Sequence, residues 1–281
     1  MTALLEVEDL RLTYPGRGFR RRSAEILKGI SLSISPGETL GLVGESGSGK
    51  TTLGRAVLGL AAPTGGAIRF EGRDITHASP RDRRALARDI QVVFQDPYTS
   101  LNPALQIADI LAEPLIAQGT NPIEARRTAL TLLDRVGMPS NSAERYPREF
   151  SGGQRQRVAI ARALALRPKL IVCDEPVSAL DLTTQARVMD LFIELQRETG
   201  VAYLFITHDL SVVRHISHRV AVMYRGELVE TGDTAVVTST PSHSYTRDLL
   251  LAAPTPDPDR QRERREARRE LRAAQAARTA P

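Results

Sequence analysis

Gly44-Glu45-Ser46-Gly47-Ser48-Gly49-Lys50-Thr51 meets the pattern G-x-x-x-x-G-K-[ST] at every fixed position. Its flanks decide the fold. Glu38-Thr39-Leu40-Gly41-Leu42-Val43 is a short apolar run that reads as a buried strand, and Thr52-Leu53-Gly54-Arg55-Ala56-Val57-Leu58 reads as a helix. Strand, glycine loop and helix start therefore follow in the order a phosphate-binding loop needs. Glycines let successive N–H groups converge on a phosphate at the positive end of a helix, Lys50 reaches its β and γ oxygens, and the Thr51 hydroxyl suits Mg²⁺. The candidate contacts to ATP here are Gly44, Glu45, Ser46, Gly47, Ser48, Gly49, Lys50, Thr51 and, one step into the helix, Thr52.

Other segments place polar residues at the ends of apolar runs. Ile90-Gln91-Val92-Val93-Phe94 leads to Gln95, at a strand's carboxyl end, where α/β sheets bind ligands. Leu170-Ile171-Val172-Cys173 leads to Asp174 and Glu175, two carboxylates that are costly beside a buried strand unless they have work to do. Asp174 fits an Mg²⁺ partner acting through water, and Glu175 the group that polarises the attacking water. Ala202 to Thr207 leads to His208, a candidate γ-phosphate contact, and Arg219 to Tyr224 with Glu227 to Glu230 adds two closing strands. Ser151 and Gln154 have capping-box spacing at the start of a helix running toward Arg167; a plain capped helix and an anion site both fit.

Residues 3 to 14 and 26 to 36 read as two strands around the basic turn Pro15–Arg22, an antiparallel element before the nucleotide core. Tyr14, just before that turn, is either an ordinary strand aromatic or the ring on which adenine stacks. From about 103 to 167 the pattern is helical, with Asn121-Pro122 as a cap and first-turn proline and Gly137 as a stop. Residues 254 to 259 read as a proline-rich linker.

Composition limits the classes. With 281 residues and 41% hydrophobic side chains the chain can bury a proper core. No run approaches the roughly 18 apolar residues that span a bilayer, and Met1 to Glu6 carries no leader pattern, so a cytoplasmic location is expected. A single cysteine, Cys173, excludes an internal disulfide or a multi-cysteine metal site. The net charge of +5 hints at nucleic acid until it is located: residues 260 to 281 hold eight arginines against three glutamates, which accounts for the whole excess.

Gly44 to Thr51, Gln95, Phe150-Ser151-Gly152-Gly153-Gln154, Leu170 to Glu175, Ser178-Ala179-Leu180-Asp181 and His208 together resemble, in order and spacing, the ATP-binding subunit of ABC transporters, over about residues 3 to 250. Val93 to Pro103, Tyr146 to Phe150 and His243 to Leu250 look like the dipeptide, oligopeptide and nickel importer branch. The signature opens with Phe150 where leucine is the general form. No cysteine follows residue 181, whereas several relatives carry a C-terminal cluster for iron–sulfur.

The resemblance implies a P-loop NTPase (RecA-like) core with an antiparallel β subdomain and an inserted helical subdomain. Residues 1–253 would form the ATPase domain, with the core at about 1–95 and 168–253 and the helical part at about 96–167; 254–281 would be linker and arginine-rich tail. It implies that Tyr14 stacks on adenine, that Lys50, Thr51, Gln95 and Asp174 hold phosphates and Mg²⁺, that Glu175 is the catalytic carboxylate and that His208 senses the γ-phosphate. Ser151, Gly152, Gly153 and Gln154 would bind the ATP of the opposite subunit, and Asp181 would couple the two sites. The partners implied are two permease subunits, a second ATPase subunit that is frequently a different chain, and an extracytoplasmic substrate-binding protein, at the cytoplasmic face of the membrane and without nucleic acid. A soluble relative acting on DNA would place a long coiled coil between loop and signature, where in this chain Thr51 and Ser151 are 100 positions apart, and a ribosome-acting relative would carry two motif sets.

Overall fold

The computed structural model describes residues 3–15, 23–96 and 100–252. Most of the basic turn after Tyr14, residues 97–99 of the segment after Gln95, and the linker and arginine-rich tail lie outside the described residues.

A six-stranded sheet organises the chain. Strands β3 (Thr39–Val43), β6 (Ile90–Val93), β7 (Leu170–Asp174), β8 (Ala202–Thr207), β9 (Arg219–Tyr224) and β10 (Glu227–Asp233) lie in the order β10-β9-β3-β8-β7-β6. All neighbouring pairs are parallel except β9 with β10. Every residue of β3 and β8 is buried, which is why these strands read as unbroken apolar runs rather than as alternating ones. A second, antiparallel sheet has the order β2-β1-β4-β5, from β1 (Leu5–Tyr14), β2 (Ala24–Ile34), β4 (Gly65–Phe70) and β5 (Arg73–Asp74).

Side-chain alternation along the parallel strands assigns each face to a different layer. Leu204 and Ile206 of β8, with Leu170 and Val172 of β7, pack against the antiparallel sheet and helix α1 (Lys50–Val57). Tyr203, Phe205, Ile171 and Cys173 face the other way, into a cluster shared with the helices between β6 and β7. Those are α3 (Ile107–Ala117), α4 (Pro122–Arg135) and α5 (Gly152–Leu164), while α2 (Pro80–Leu86) precedes β6. Asn121 caps α4 by accepting a hydrogen bond from Ile123 N–H at 2.9 Å, and Gly137, at φ 65°, ends the turn beyond it. The expected RecA-like core, antiparallel β subdomain and helical insertion are therefore all present. Strand β10 runs to Asp233, three residues beyond the expected Glu230, because its pairing with β9 resumes after a register shift between Leu228 and Glu230.

Helix α6 (Leu182–Thr199) covers the helical face of the sheet with Val188, Leu191, Phe192 and Leu195, one stripe at helical spacing. Phe192 meets Tyr203 and Phe205 edge-on, at ring-centroid distances of 5.4 and 5.6 Å. The Tyr203 hydroxyl donates to the Phe192 carbonyl at 3.2 Å, so this ring fixes how α6 sits on β8. Phe192→Ala is expected to cost about 3–5 kcal/mol of stability, through lost burial, lost ring contacts and the cavity left behind. Urea unfolding followed by far-UV circular dichroism measures it; a loss below about 1 kcal/mol, the range of an exposed substitution, would contradict this packing account.

Candidate functional site

The parallel register brings the polar strand ends together. Val43 pairs with Thr207 and Asp174 with Ile206, so the chain leaves β3, β7 and β8 along one edge, and Val93 beside Cys173 adds the end of β6. Gly44, Glu175, His208 and Gln95 follow at that edge, the place where open parallel sheets bind ligands.

The loop after β3 is tightly packed. A β-carbon on Gly44 would lie 2.1 Å from the Met223 carbonyl oxygen, so only glycine lets the loop pass the end of β9. Gly226 N–H, in the turn between β9 and β10, donates to the Ser48 carbonyl at 3.0 Å. Lys50 opens α1 and is buried. Its ammonium donates to the carbonyls of Gly44 at 2.7 Å and Glu45 at 2.9 Å. Burial pushes the Lys50 ammonium below the ordinary lysine range, while the carboxylates of Glu175, Asp174 and Glu45 pull it back. A desolvated cation held by a few carbonyl dipoles, beside exposed Ser46 and Gly47, is poised for an anion.

Thr51 and Asp174, 123 residues apart, are joined by a 2.9 Å hydrogen bond from hydroxyl to carboxylate. Burial raises Asp174 above the usual carboxylate range; the Thr51 hydroxyl lowers it, nearby Glu175 raises it, and Arg55 and Lys50 lower it. Glu175 has a left-handed backbone at φ 48°, a conformation that costs an ordinary side chain about 1–3 kcal/mol. Its Oε2 lies 3.1 Å from His208 Nδ1 and accepts from Gln95 Nε2 at 3.3 Å, and Gln95 also donates to the Ser178 hydroxyl at 3.3 Å. Thus the sheet edge holds a linked pair, Thr51 with Asp174, and a linked trio, Glu175 with Gln95 and His208. Gln95, proposed for the metal, is bonded here to Glu175 and not to Asp174.

A cleft of about 430 Å³ is lined by Tyr14, Ser46, Gly47, Lys50, Thr51, Thr52, Gln95 and Glu175. Tyr14, among the residues lining this cleft, is 43% exposed. The signature residues Ser151, Gly152 and Gly153 line a different cleft, of about 410 Å³, together with Asp181, Gln95 and Asp96. Here Ser151 and Gln154 form the expected capping box: Gln154 N–H donates to the Ser151 hydroxyl at 3.3 Å and Ser151 N–H to Gln154 Oε1 at 3.0 Å. Asp181 caps α6, accepting from Thr184 N–H at 3.0 Å, and a β-carbon on Gly153 would lie 2.3 Å from Thr184 Cγ2. Two helix N-termini therefore converge on this second cleft. The structure brings Tyr14, Lys50, Thr51, Gln95 and Glu175 to one cleft, with Asp174 bonded to Thr51 and His208 to Glu175, whereas Ser151, Gly152, Gly153 and Asp181 line the other.

One supporting residue escaped the motifs. Glu45 N–H donates to the Tyr245 hydroxyl at 2.9 Å, from helix α9 (Ser244–Ala252), which follows α7 (Leu210–Ile216) and α8 (Thr234–Ser239). The only sequence signal was its place in His243 to Leu250, which resembled the importer branch as a whole. Cys173 is buried in the core and burial raises its thiol far above the ordinary value, which suits an inert thiol.

The fold and the loop geometry define a phosphate-loop nucleotide-binding cassette. The chain belongs to the ABC transporter family, whose profile matches residues 27–178. It is 50% identical over 264 residues to the oligopeptide transport ATP-binding protein OppD of Mycobacterium tuberculosis, covering 92% of this chain and 43% of the relative. Over 267 residues it is 51% identical to the glutathione import ATP-binding protein GsiA of Escherichia coli K12, covering 93% and 43%. The chain thus spans less than half the length of these relatives. Its structure is similar to cbiO1 from Clostridium perfringens, part of the ABC transporter complex cbiONQ, with TM-score 0.77 and 29% identity over 89% of this chain and 96% of that one. It is also similar to the dimeric ATP-binding cassette MJ0796 in a post-hydrolysis state bound to ADP and Pi, with TM-score 0.73 and 31% identity over 82% and 98%.

The raised Asp174 carboxyl has a consequence for stability. Folding favours its protonated form, so the penalty for its charge is absent below the ordinary carboxylate value. It grows as pH rises toward the raised value and is complete above it. Asp174→Asn keeps an acceptor for Thr51 and removes the charge. The variant free of nucleotide is expected to melt above wild type at about pH 8, with the gain shrinking toward about pH 4, near the ordinary carboxylate value. Calorimetry across that range checks it; a variant melting below wild type at about pH 8 contradicts the burial account.

Proposed function

We propose that this chain is the ATP-binding and hydrolysing subunit that powers an importer of dipeptides or oligopeptides. The observation that carries the reading is the cluster at one sheet edge: a desolvated Lys50, the Thr51–Asp174 pair, and Glu175 held between Gln95 and His208. The names of the relatives that share half of its residues, one for oligopeptides and one for the tripeptide glutathione, support peptides as the substrate class.

The residues present fit Mg²⁺. Among the described residues no group of three or more His, Cys, Asp or Glu could hold a metal, but Mg²⁺ on a nucleotide takes few protein ligands and keeps phosphate oxygens and waters. Thr51 and Asp174 supply the hard oxygens, with Gln95 as a third candidate. When bound, the ion neutralises charge developing on the β and γ oxygens. Lys50 provides the fixed positive charge for the same oxygens, and the loop amides add theirs at the start of α1. Glu175, fixed by its left-handed backbone and its two partners, accepts a hydrogen bond from the attacking water. His208 presents its other ring nitrogen toward the γ-phosphate, and Tyr14 offers a ring face to the base.

The signature in its own cleft supports a head-to-tail dimer in which Ser151 to Gln154 serve the ATP of a second ATPase subunit, with Asp181 at the junction. That subunit is proposed to be a different chain. Two permease subunits and an extracytoplasmic binding protein complete the assembly, at the cytoplasmic face of the membrane. Among the described residues no helix is long and apolar enough to cross a membrane, which suits a peripheral subunit.

Glu175→Gln is expected to slow steady-state ATP hydrolysis about 10²- to 10⁴-fold while MgATP still binds, because the carboxylate acts on the water. Phosphate release by the chain with its partner subunits measures it, and wild-type turnover in the variant would refute the assignment. Ser151→Arg should leave nucleotide affinity of the isolated chain unchanged and block ATP-driven association of subunits. If it weakened binding to the monomer as much as Lys50→Ala does, the signature would be acting within its own chain.

A further inference from the structure

The first peptide of the phosphate loop is gripped on both sides. The Gly44–Glu45 unit donates its N–H to the Tyr245 hydroxyl at 2.9 Å, and its carbonyl accepts from the Lys50 ammonium at 2.7 Å. Lys50 is the group that a phosphate competes for, so its bond to the Gly44 carbonyl is the weaker of the two grips once an anion enters. Tyr245 then remains to fix the plane of this peptide. A rotation there would swing a carbonyl dipole toward the phosphates, and Gly44 carries no side chain to resist it.

Tyr245 is itself anchored. Its ring is buried against Val43 and Val222 and lies 4.2 Å, centroid to centroid, from Tyr224 at an interplanar angle of 34°. The lead into α9 is tied to β10 by Glu230, whose carboxylate accepts from Ser242 N–H at 2.7 Å, the Ser242 hydroxyl at 2.8 Å and His243 N–H at 3.2 Å. Tyr245 N–H in turn donates to His243 Nδ1 at 3.2 Å. One end of α9 is thus fixed to the β9–β10 hairpin and, through a single hydroxyl, to a loop 200 residues earlier.

We propose that Tyr245 is a positioning residue for nucleotide binding: its hydroxyl holds the Gly44–Glu45 peptide in the orientation that accepts phosphate, so that seating of α9 sets the affinity of the loop. This rests on the proposed ATP binding. The test is a calorimetric titration of MgATP into the full-length chain, wild type against Tyr245→Phe, well below the melting temperature of both. Phenylalanine keeps the ring and its packing. Loss of one hydrogen bond predicts MgATP binding about three- to ten-fold weaker. A purely structural Tyr245 would lower the melting temperature and leave the dissociation constant alone, and equal affinity in the two proteins would overturn the inference whatever the melting temperature does. If wild type itself bound no MgATP, the proposed function would fail and the inference with it. Should Tyr245→Phe not fold, hydrogen exchange at the Glu45 amide of the wild-type chain decides: protection is expected, and exchange at the rate of a free loop amide would overturn it.

Discussion

A buried ammonium has to be satisfied, and much of this protein follows from how Lys50 is. Its position at the start of α1, under a glycine loop and in front of three carboxylates, leaves it short of water and supplied by two carbonyls. Such a charge is tolerated in a core only with fixed partners. Those partners require the loop to keep its path, which requires glycine at Gly44 against the Met223 carbonyl and the turn at Gly226 against Ser48. The β9–β10 hairpin and α9 are thereby part of the site although none of the nucleotide-binding motifs lies in them.

Gln95 is the point at which the two clefts meet. It lines both, bonds Glu175 in one and shares the other with the signature, and it follows β6 just before the chain enters the helical insertion. Any displacement of that insertion relative to the sheet passes through the segment that carries it. The geometry therefore ties the groups proposed to act on water to the helical insertion by one side chain and a few residues of backbone.

What was legible in the sequence was whatever is local or spaced by a regular pattern. The parallel strands are buried on both faces and so stood out as apolar runs, and the capping box at Ser151 and Gln154 is complete within four residues. Strand β4, Gly65–Phe70, is not among the strands read from the sequence: two glycines at its start weaken the strand pattern, and its pairing with the distant β1 makes it a strand. The left-handed Glu175 and the grip of Tyr245 on Glu45 have no local signature. They arise from register across the sheet and from contacts 200 residues apart, and pattern reading has no access to either.

The charge distribution also separates how the cassette holds an anion from how a basic protein attracts one. The whole excess of +5 lies in residues 260 to 281, so the remainder of the chain is formally neutral and offers a polyanion no long-range field to follow. Attraction in the cleft has to come from fixed groups at contact distance: one desolvated ammonium, the amides at the start of α1, and hydroxyls of the loop. Interactions of that kind are screened little by salt, because they act at contact distance, well within the roughly 8 Å over which physiological salt screens charge. Selectivity for a phosphate chain over other anions is then a matter of where the loop amides point, and the first peptide of the loop, held by Lys50 and Tyr245, is one of them.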